Sequence, residues 1–333
     1  MSYVTSRNDG NLFTHNPVYM ILTGNKIHPK HPYFPIDINH LSLGMRSLLA
    51  WPGHSILHFA NRKMPRKIKI TFYGYNCFVI ESGKEKIVID PGGSFYLPDF
   101  FKSIIPKSEW QSITHIFVTH GDPDHHWYTD RIAAVSGAKV ICNEKMVRTV
   151  NGKKRMLGPR NKGLVFTASI DKLHTIAVDE SIDIDGMQIT GIKGTHGPLT
   201  LNIGPFSKTL HEGPEERFGF GEMGFRIVLQ GRTIINLGDT ILHENEWENI
   251  KHPDVLMIPI GGKIPGNTMD EVDALKAVKV TNPKLVIPTH YNCAALFSKC
   301  YNPADEVMFK EEVVKMGIKC IVLHIGDSID LMT

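Results

Sequence analysis

The chain has 333 residues, 42% hydrophobic and 21% charged, with a net charge of +3 at neutral pH. So small a charge over this length argues against a nucleic-acid polyanion as partner, although a local basic run such as Lys153 to Arg155 exists. Five scattered cysteines (Cys77, Cys142, Cys293, Cys300, Cys320), none in a C-x-x-C pair, fit a reducing cytoplasm, and the opening MSYVTSRNDGNLFTHNP and the lack of any run of about eighteen apolar residues argue against secretion and membrane spanning.

Residues 1 to about 65 are dense in Pro, His, Asn and Gly (HPKHPYFPIDINH), with little periodicity before LSLGMRSLLAW. They predict an irregular extension that packs on the main body or caps a partner subunit. Its histidines, among them His28, His31, His40, His54 and His58, lack regular metal-ligand spacing. From Lys67 come short β-rich runs, KIKITFYG, CFVIES, KIVIDPG and THIFVTHGD, with Gly83 and Lys84 marking a hairpin turn. A helical pattern in WYTDRIAAVSG and a strand in AKVICNE follow. The basic, turn-rich NGKKRMLGPRNKG reads as a solvated excursion, with a phosphate-binding flap as the alternative. Strands recur in TIAVDESIDIDGMQITGIKG, FRIVLQGRTIINLGDT and DVLMIPIGG. MDEVDALKAVKVTN and PADEVMFKEEVVKMG read as helices with packing faces, separated by the strand KLVIPTH and followed by a last strand KCIVLHIG. The same order in both halves predicts an α/β (α+β) fold: a four-layer αββα sandwich of two mixed β-sheets packed face to face with helices outside. No linker divides it, so residues 66–333 are expected to be one catalytic domain.

The chemistry concentrates in VTHGDPDHHWYTD, residues 118–130, with three histidines and three aspartates. A hydrophobic strand ends at His120, Gly121 and Pro123 tighten the turn, and Asp122, Asp124, His125 and His126 project from a short arc. Imidazoles and carboxylates so converged make a transition-metal site. A helix cap would explain one aspartate, but not six titratable residues together. Three more polar residues stand at the tails of apolar strands: His196 after GMQITGIKGT, Asp239 after RTIINLG and His290 after KLVIPT. Together they supply up to seven ligands, enough for two neighbouring ions.

This order of segments resembles the metallo-β-lactamase superfamily, whose signature H-x-H-x-D-H is followed by a distant His, an Asp and a His. DVLMIPIGGKIPGNTMDEVDALKAVKVTNPKLVIPTHYN and FGEMGFRIVLQGRTIINLGDT resemble its branch of ascorbate-6-phosphate lactonases and related predicted zinc-dependent hydrolases, from about Lys67 onward. The resemblance implies one metal site of His120, Asp122 and His196, a second of Asp124, His125 and His290, and Asp239 bridging both. Asp122 stands where the superfamily usually has histidine. A carboxylate is a harder ligand and moves preference from zinc toward manganese or iron. A poorly ligating Asp122, leaving one ion or drawing in His126, is the alternative.

Such a centre implies hydrolysis by a metal-bridging hydroxide of an ester-type bond, a lactone or phosphodiester, in a small anionic molecule, with Asp124 relaying a proton. Expected cofactors are two divalent ions, zinc or manganese, with iron as the alternative. The Gly- and Pro-rich stretch 197–224 reads as a loop walling the substrate, with His211, Glu212 and Arg217 as contacts. Lys263, following IPIGG, is a candidate anion contact, His126 a further substrate contact, and Tyr291 and Asn292 are candidates to contact substrate or orient His290. A homo-oligomer is expected by analogy. The competing readings are a di-iron redox protein related to the flavodiiron branch, prompted by Asp122, and a non-catalytic metal-binding scaffold.

Overall fold

A computed structural model describes residues 67–332 except 97–98, 100–101, 159–169, 204–205, 212, 214–217, 264–265 and 297. The expected extension over 1–65 lies outside the described residues. Strands in chain order are β1 (Lys67–Gly74), β2 (Cys77–Ser82), β3 (Glu85–Ile89), β4 (Phe95–Tyr96), β5 (His115–Val118), β6 (Lys139–Asn143), β7 (Val147–Val150), β8 (Lys153–Met156), β9 (Leu173–Ile176), β10 (Ser181–Ile184), β11 (Met187–Lys193), β12 (Leu199–Ile203), β13 (Phe206–Leu210), β14 (Met223–Leu229), β15 (Arg232–Asn236), β16 (Val255–Pro259), β17 (Leu285–Thr289), β18 (Cys293–Leu296), β19 (Ser298–Tyr301), β20 (Lys319–Cys320) and β21 (Ser328–Met332). Helices are α1 (Lys107–Trp110), α2 (Pro123–His126), α3 (Thr129–Ser136), α4 (Glu271–Thr281) and α5 (Glu306–Lys315).

The described residues form two seven-stranded mixed sheets, ordered β21-β1-β2-β3-β5-β6-β9 and β10-β11-β14-β15-β16-β17-β20. Alternation along the strands sorts their side chains into layers. Ile70, Ile87 and Phe117 of the first sheet meet Ile227, Ile234 and Ile287 of the second in the central core. Val88 and Ile116 point the other way, onto Ile132 and Ala133 of α3. Leu256 and Val286 do the same under Val278 of α4 and Phe309 of α5. Strands such as β5 and β17 are therefore buried on both faces, as parallel strands under helices must be. This is the expected αββα sandwich, and each fully buried Ile or Phe contributes roughly 1.5–3 kcal/mol to it.

Three local expectations need correction. The stretch after His196 is not an unstructured loop: LTLNI and FSKTL pair as an antiparallel hairpin. The basic run at 151 is also partly a hairpin, Asn151 and Gly152 both taking positive φ (50° and 74°) between β7 and β8, the turn geometry that an Asn-Gly pair favours. KCIVLHIG pairs only briefly beside β17 before turning at Gly326, and SIDLM then pairs with β1, closing the other sheet.

Candidate metal centre

β15, β16 and β17 run parallel, and β11 is antiparallel to β14, which is antiparallel to β15, so β11, β15 and β17 end at the same rim. His196, Asp239 and His290 follow those ends, while His120, Asp122, Asp124 and His125 come from the segment after β5 of the first sheet. The two sheets thus contribute to one cluster.

All seven come together. Asp122 Oδ2 lies 3.5 Å from both His120 Nε2 and His196 Nε2. Asp124 Oδ2 lies 3.5 Å from His125 Nε2 and 3.3 Å from His290 Nε2. Asp239 Oδ2 stands between these groups, 3.0 Å from His290 Nε2, 3.7 Å from His125 Nε2 and 3.9 Å from His196 Nε2. Ligand atoms bound to one ion at about 2.0–2.2 Å sit roughly 3–3.6 Å apart, so these spacings match the edges of coordination polyhedra. His120 Nε2, His125 Nε2 and Asp239 Oδ1 are buried without a hydrogen-bond partner, which is costly unless a cation satisfies them.

The surrounding bonds aim the rings. Asp90, fully buried at the end of β3, accepts from Thr119 N (2.8 Å), Thr119 Oγ1 (2.7 Å) and Asn76 Nδ2 (2.7 Å), and lies 2.7 Å from His125 Nδ1. With His125 Nδ1–H donating to that carboxylate, Nε2 faces the cluster and can ligate a cation that displaces its proton. His196 Nδ1 lies 2.9 Å from the Gly197 carbonyl oxygen, and His120 Nδ1 3.1 Å from Thr119 Oγ1, to the same effect. His290, at φ 49°, has Asn302 Nδ2 2.9 Å from its Nδ1; the same Nδ2 donates to the His290 carbonyl oxygen, and Asn302 Oδ1 accepts from Cys293 N.

Asp122 makes no capping bond to α2. Its Oδ1 instead accepts from Gly219 N at 2.6 Å, leaving Oδ2 toward the histidines. Gly219 has φ 57°, and a Cβ there would lie 2.8 Å from His196 Cβ, so only glycine lets this backbone N–H reach the carboxylate.

Burial sets the charge states, modified by neighbours. It pushes His196 down to about 4, His120 well below the usual imidazole value, Asp239 up to about 6 and Asp122 up. At Asp124 burial raises the carboxyl, but His125 and His290 outweigh it and hold it low. Burial likewise opposes charge on His125 and His290, yet carboxylates overcome it: Asp124, Asp239 and Asp90 around His125, and Asp239 and Asp124 around His290. The site suits divalent cations: dense in hard and borderline donors and rich in buried negative charge.

Above the cluster opens a cavity of about 340 Å³. Its walls are Tyr75, Phe95, Leu199, Leu210, Phe218 and Tyr301, with Asn267, Asp122, Asp124, Asp239 and His290 toward the floor. Burial, with help from Asp124 and Asp122, pushes the Tyr301 phenol to about 12, so it stays protonated. Asn267 Nδ2 is 3.5 Å from His196 Nε2, and its Oδ1 is buried without a hydrogen-bond partner.

Of the peripheral contacts expected from sequence, His126, His211, Lys263, Tyr291 and Asn292 are not among the residues that line this cavity. His126 is buried under Phe220, ring centroids 5.9 Å apart, with Nδ1 3.0 Å from the Asp122 carbonyl oxygen. His211 and Lys263 are exposed and do not line it, and Glu212 and Arg217 lie outside the described residues. Tyr291 packs on the outer core of the second sheet, and Asn292 donates to Ala304 O and Glu306 Oε2, so the orienting amide at His290 is Asn302. No Lys or Arg lines the cavity among the described residues; Arg217, next to the lining Phe218, lies outside them. Sequence reasoning missed Asp90, Asn302 and Asn267; only Asp90, in the strand-end IDPG, carried a local signal.

Two facing mixed sheets, helices outside and a His/Asp cluster on one rim define the metallo-β-lactamase sandwich. The chain belongs to that superfamily: the family described as "Beta-lactamase superfamily domain" matches residues 69–290. A UPF0173 metal-dependent hydrolase of Listeria innocua is 30% identical over 269 residues, covering 79% of this chain and 100% of that one. One from Nanoarchaeum equitans is 28% identical over 267 residues, covering 79% and 100%. In solved structures, the fold is shared with Igni18, a metallo hydrolase of Ignicoccus hospitalis (22% identity, 80% of this chain and 99% of that chain, TM-score 0.54). It is shared too with CmlA, a diiron β-hydroxylase of Streptomyces venezuelae (13%, 81% and 54%, TM-score 0.52).

Proposed function

We propose that residues 66–333 form a metal-dependent hydrolase that cleaves an ester-type bond of a small molecule, a lactone in preference to a phosphodiester. The observation that carries this reading is the convergence of His120, Asp122, Asp124, His125, His196, Asp239 and His290, from both sheets, at coordination-edge spacings beneath an open cavity. His120, Asp122 and His196 would hold one divalent ion and Asp124, His125 and His290 a second, with Asp239 shared; zinc or manganese suits the mixed donor set. Bound there, the ions supply a water acidified from a pKa of about 15.7 to about 7.

The chain's own groups do the rest. Asp124 stands at the cavity floor between His125 and His290, placed to orient the attacking water and pass its proton to the leaving group. Asn267 presents a carboxamide beside His196, where the carbonyl oxygen of an ester gains charge during attack. The test is hydrolysis of chromogenic lactones, phosphodiesters and thioesters by metal-replete protein. Asp124→Asn with unchanged metal content should lose roughly 10²–10⁴-fold in rate; full activity in that variant rules the assignment out. Asp122 favours one second reading, a di-iron redox protein. Stoichiometric iron with charge-transfer bands would support it, and zinc or manganese alone would exclude it.

A further inference from the structure

The walls of the cavity carry more information than its floor. Phe95, Leu199, Leu210 and Phe218 present hydrocarbon, and Tyr75 and Tyr301 present rings whose only polar atoms are phenol oxygens. The Tyr75 hydroxyl is already engaged by the Ala294 carbonyl oxygen and by Phe95 N. No lysine, arginine or wall histidine offers a counter-charge among the described lining residues. The floor does not supply one either: Asp122, Asp124 and Asp239 are three carboxylates, so two divalent cations would leave one net positive charge, and a hydroxide nucleophile would cancel it. An anion entering this space would lose its hydration against apolar walls without a cationic side chain among the described lining residues in return, whereas an apolar body gains from the same burial.

Resting on the hydrolase reading above, we propose that the cavity is the pocket for an uncharged acyl or lactone group, with an apolar body of at most about 340 Å³. Asn267, buried at the junction of wall and floor with its Nδ2 3.5 Å from His196 Nε2, is its polar anchor, the amide N–H donating to the ester carbonyl oxygen. Both polar groups of a neutral ester are then directed downward and its hydrocarbon faces Phe95, Phe218 and the two leucines.

A length-matched pair provides the test, using the full-length metal-replete protein. The substrates are para-nitrophenyl acetate, butyrate, hexanoate and octanoate, and the mono-para-nitrophenyl ester of adipic acid, which matches the hexanoate but ends in a carboxylate. Expected is a kcat/KM that rises about fourfold per buried methylene until the cavity is full. The adipate monoester should fall at least about tenfold below the hexanoate, because a buried unpaired charge costs more than the methylenes gain. Leu210→Lys should shrink or reverse that ratio, and Leu210→Ala should flatten the length dependence without reversing it. In parallel, hexanamide and adipamate are compared as equilibrium ligands by calorimetry, which needs no turnover. Tighter binding of hexanamide supports the proposal. Equal or tighter binding of adipamate, or an acetate hydrolysed as well as the octanoate, overturns it. If no ester is cleaved, the hydrolase reading fails, while the amide pair still decides the chemistry of the pocket.

Discussion

Replacing Asp90 with asparagine probes how far the metal centre depends on a residue that does not reach it. Asp90 is fully buried and gathers four donors, two from Thr119, one from Asn76 and one from His125 Nδ1. Asparagine is isosteric but has one acceptor oxygen, so its amide must face one of those donors, and His125 loses an ionised partner. A hydrogen bond to a charged group contributes about 1.5–3 kcal/mol. Since about 1.4 kcal/mol is tenfold in affinity, metal binding should weaken roughly 10–100-fold, the range typical of such supporting partners. The assay is competition with a chromogenic chelator, alongside urea unfolding of metal-free protein, which should show a loss of about 1–3 kcal/mol from the unsatisfied donor. An affinity within about twofold of wild type would refute the idea that Asp90 fixes the His125 ring for ligation.

Gly219→Ala should cost about 1–2 kcal/mol or more, because alanine is strained at φ 57° and its Cβ would meet His196; in a domain of this size that lowers Tm by about 2–4 °C per kcal/mol, and an unaltered melting curve would contradict it. Asn302→Ala should weaken metal binding about tenfold or more by freeing His290, whereas Asn292→Ala should leave it unchanged; identical behaviour of the two in a chelator titration would remove Asn302 from its orienting role. Metal affinity should also depend on pH. Asp239, raised to about 6, Asp122, also raised, and His125 and His290, both held above the usual imidazole value by neighbouring carboxylates, carry protons that a cation must displace, so affinity climbs as pH rises from about 6 upward and falls below it. A flat titration from about pH 5 to about pH 7 would refute this.

The ligand set was legible in sequence because each member follows an apolar strand and because His120 to His125 are crowded into one turn. The layered fold was legible from the alternation of short β runs with helical patterns. What escaped were partners set by long-range packing. Asn302 reaches His290 across the β18–β19 hairpin, and Asn267 reaches His196 from a separate connection, with no spacing rule linking either pair. Tyr291 and Asn292, adjacent to His290 in sequence, point elsewhere because His290 adopts φ 49° and Asn292 φ 50°, turning the chain away from the rim. The final strand was misplaced for a similar reason: a short edge strand such as SIDLM, alternately half-buried and exposed, has a weak apolar signal of its own.

The division of ligands between the sheets means that the bound ions would act as a mechanical fastener. Four ligands hang from the first sheet and three from the second, so the ions would stitch the two layers at one edge. The far edge has a clasp of its own, His115 Nε2 against Asp185 Oδ2 at 2.8 Å, joined by Lys139 Nζ at 2.7 Å from the same carboxylate. Occupancy would then be felt as rigidity as well as reactivity: ions bound to the native state alone add about 2.7 kcal/mol at a hundredfold excess over Kd. Chelation should loosen the rim strands first in hydrogen exchange, while amides around His115 keep their protection.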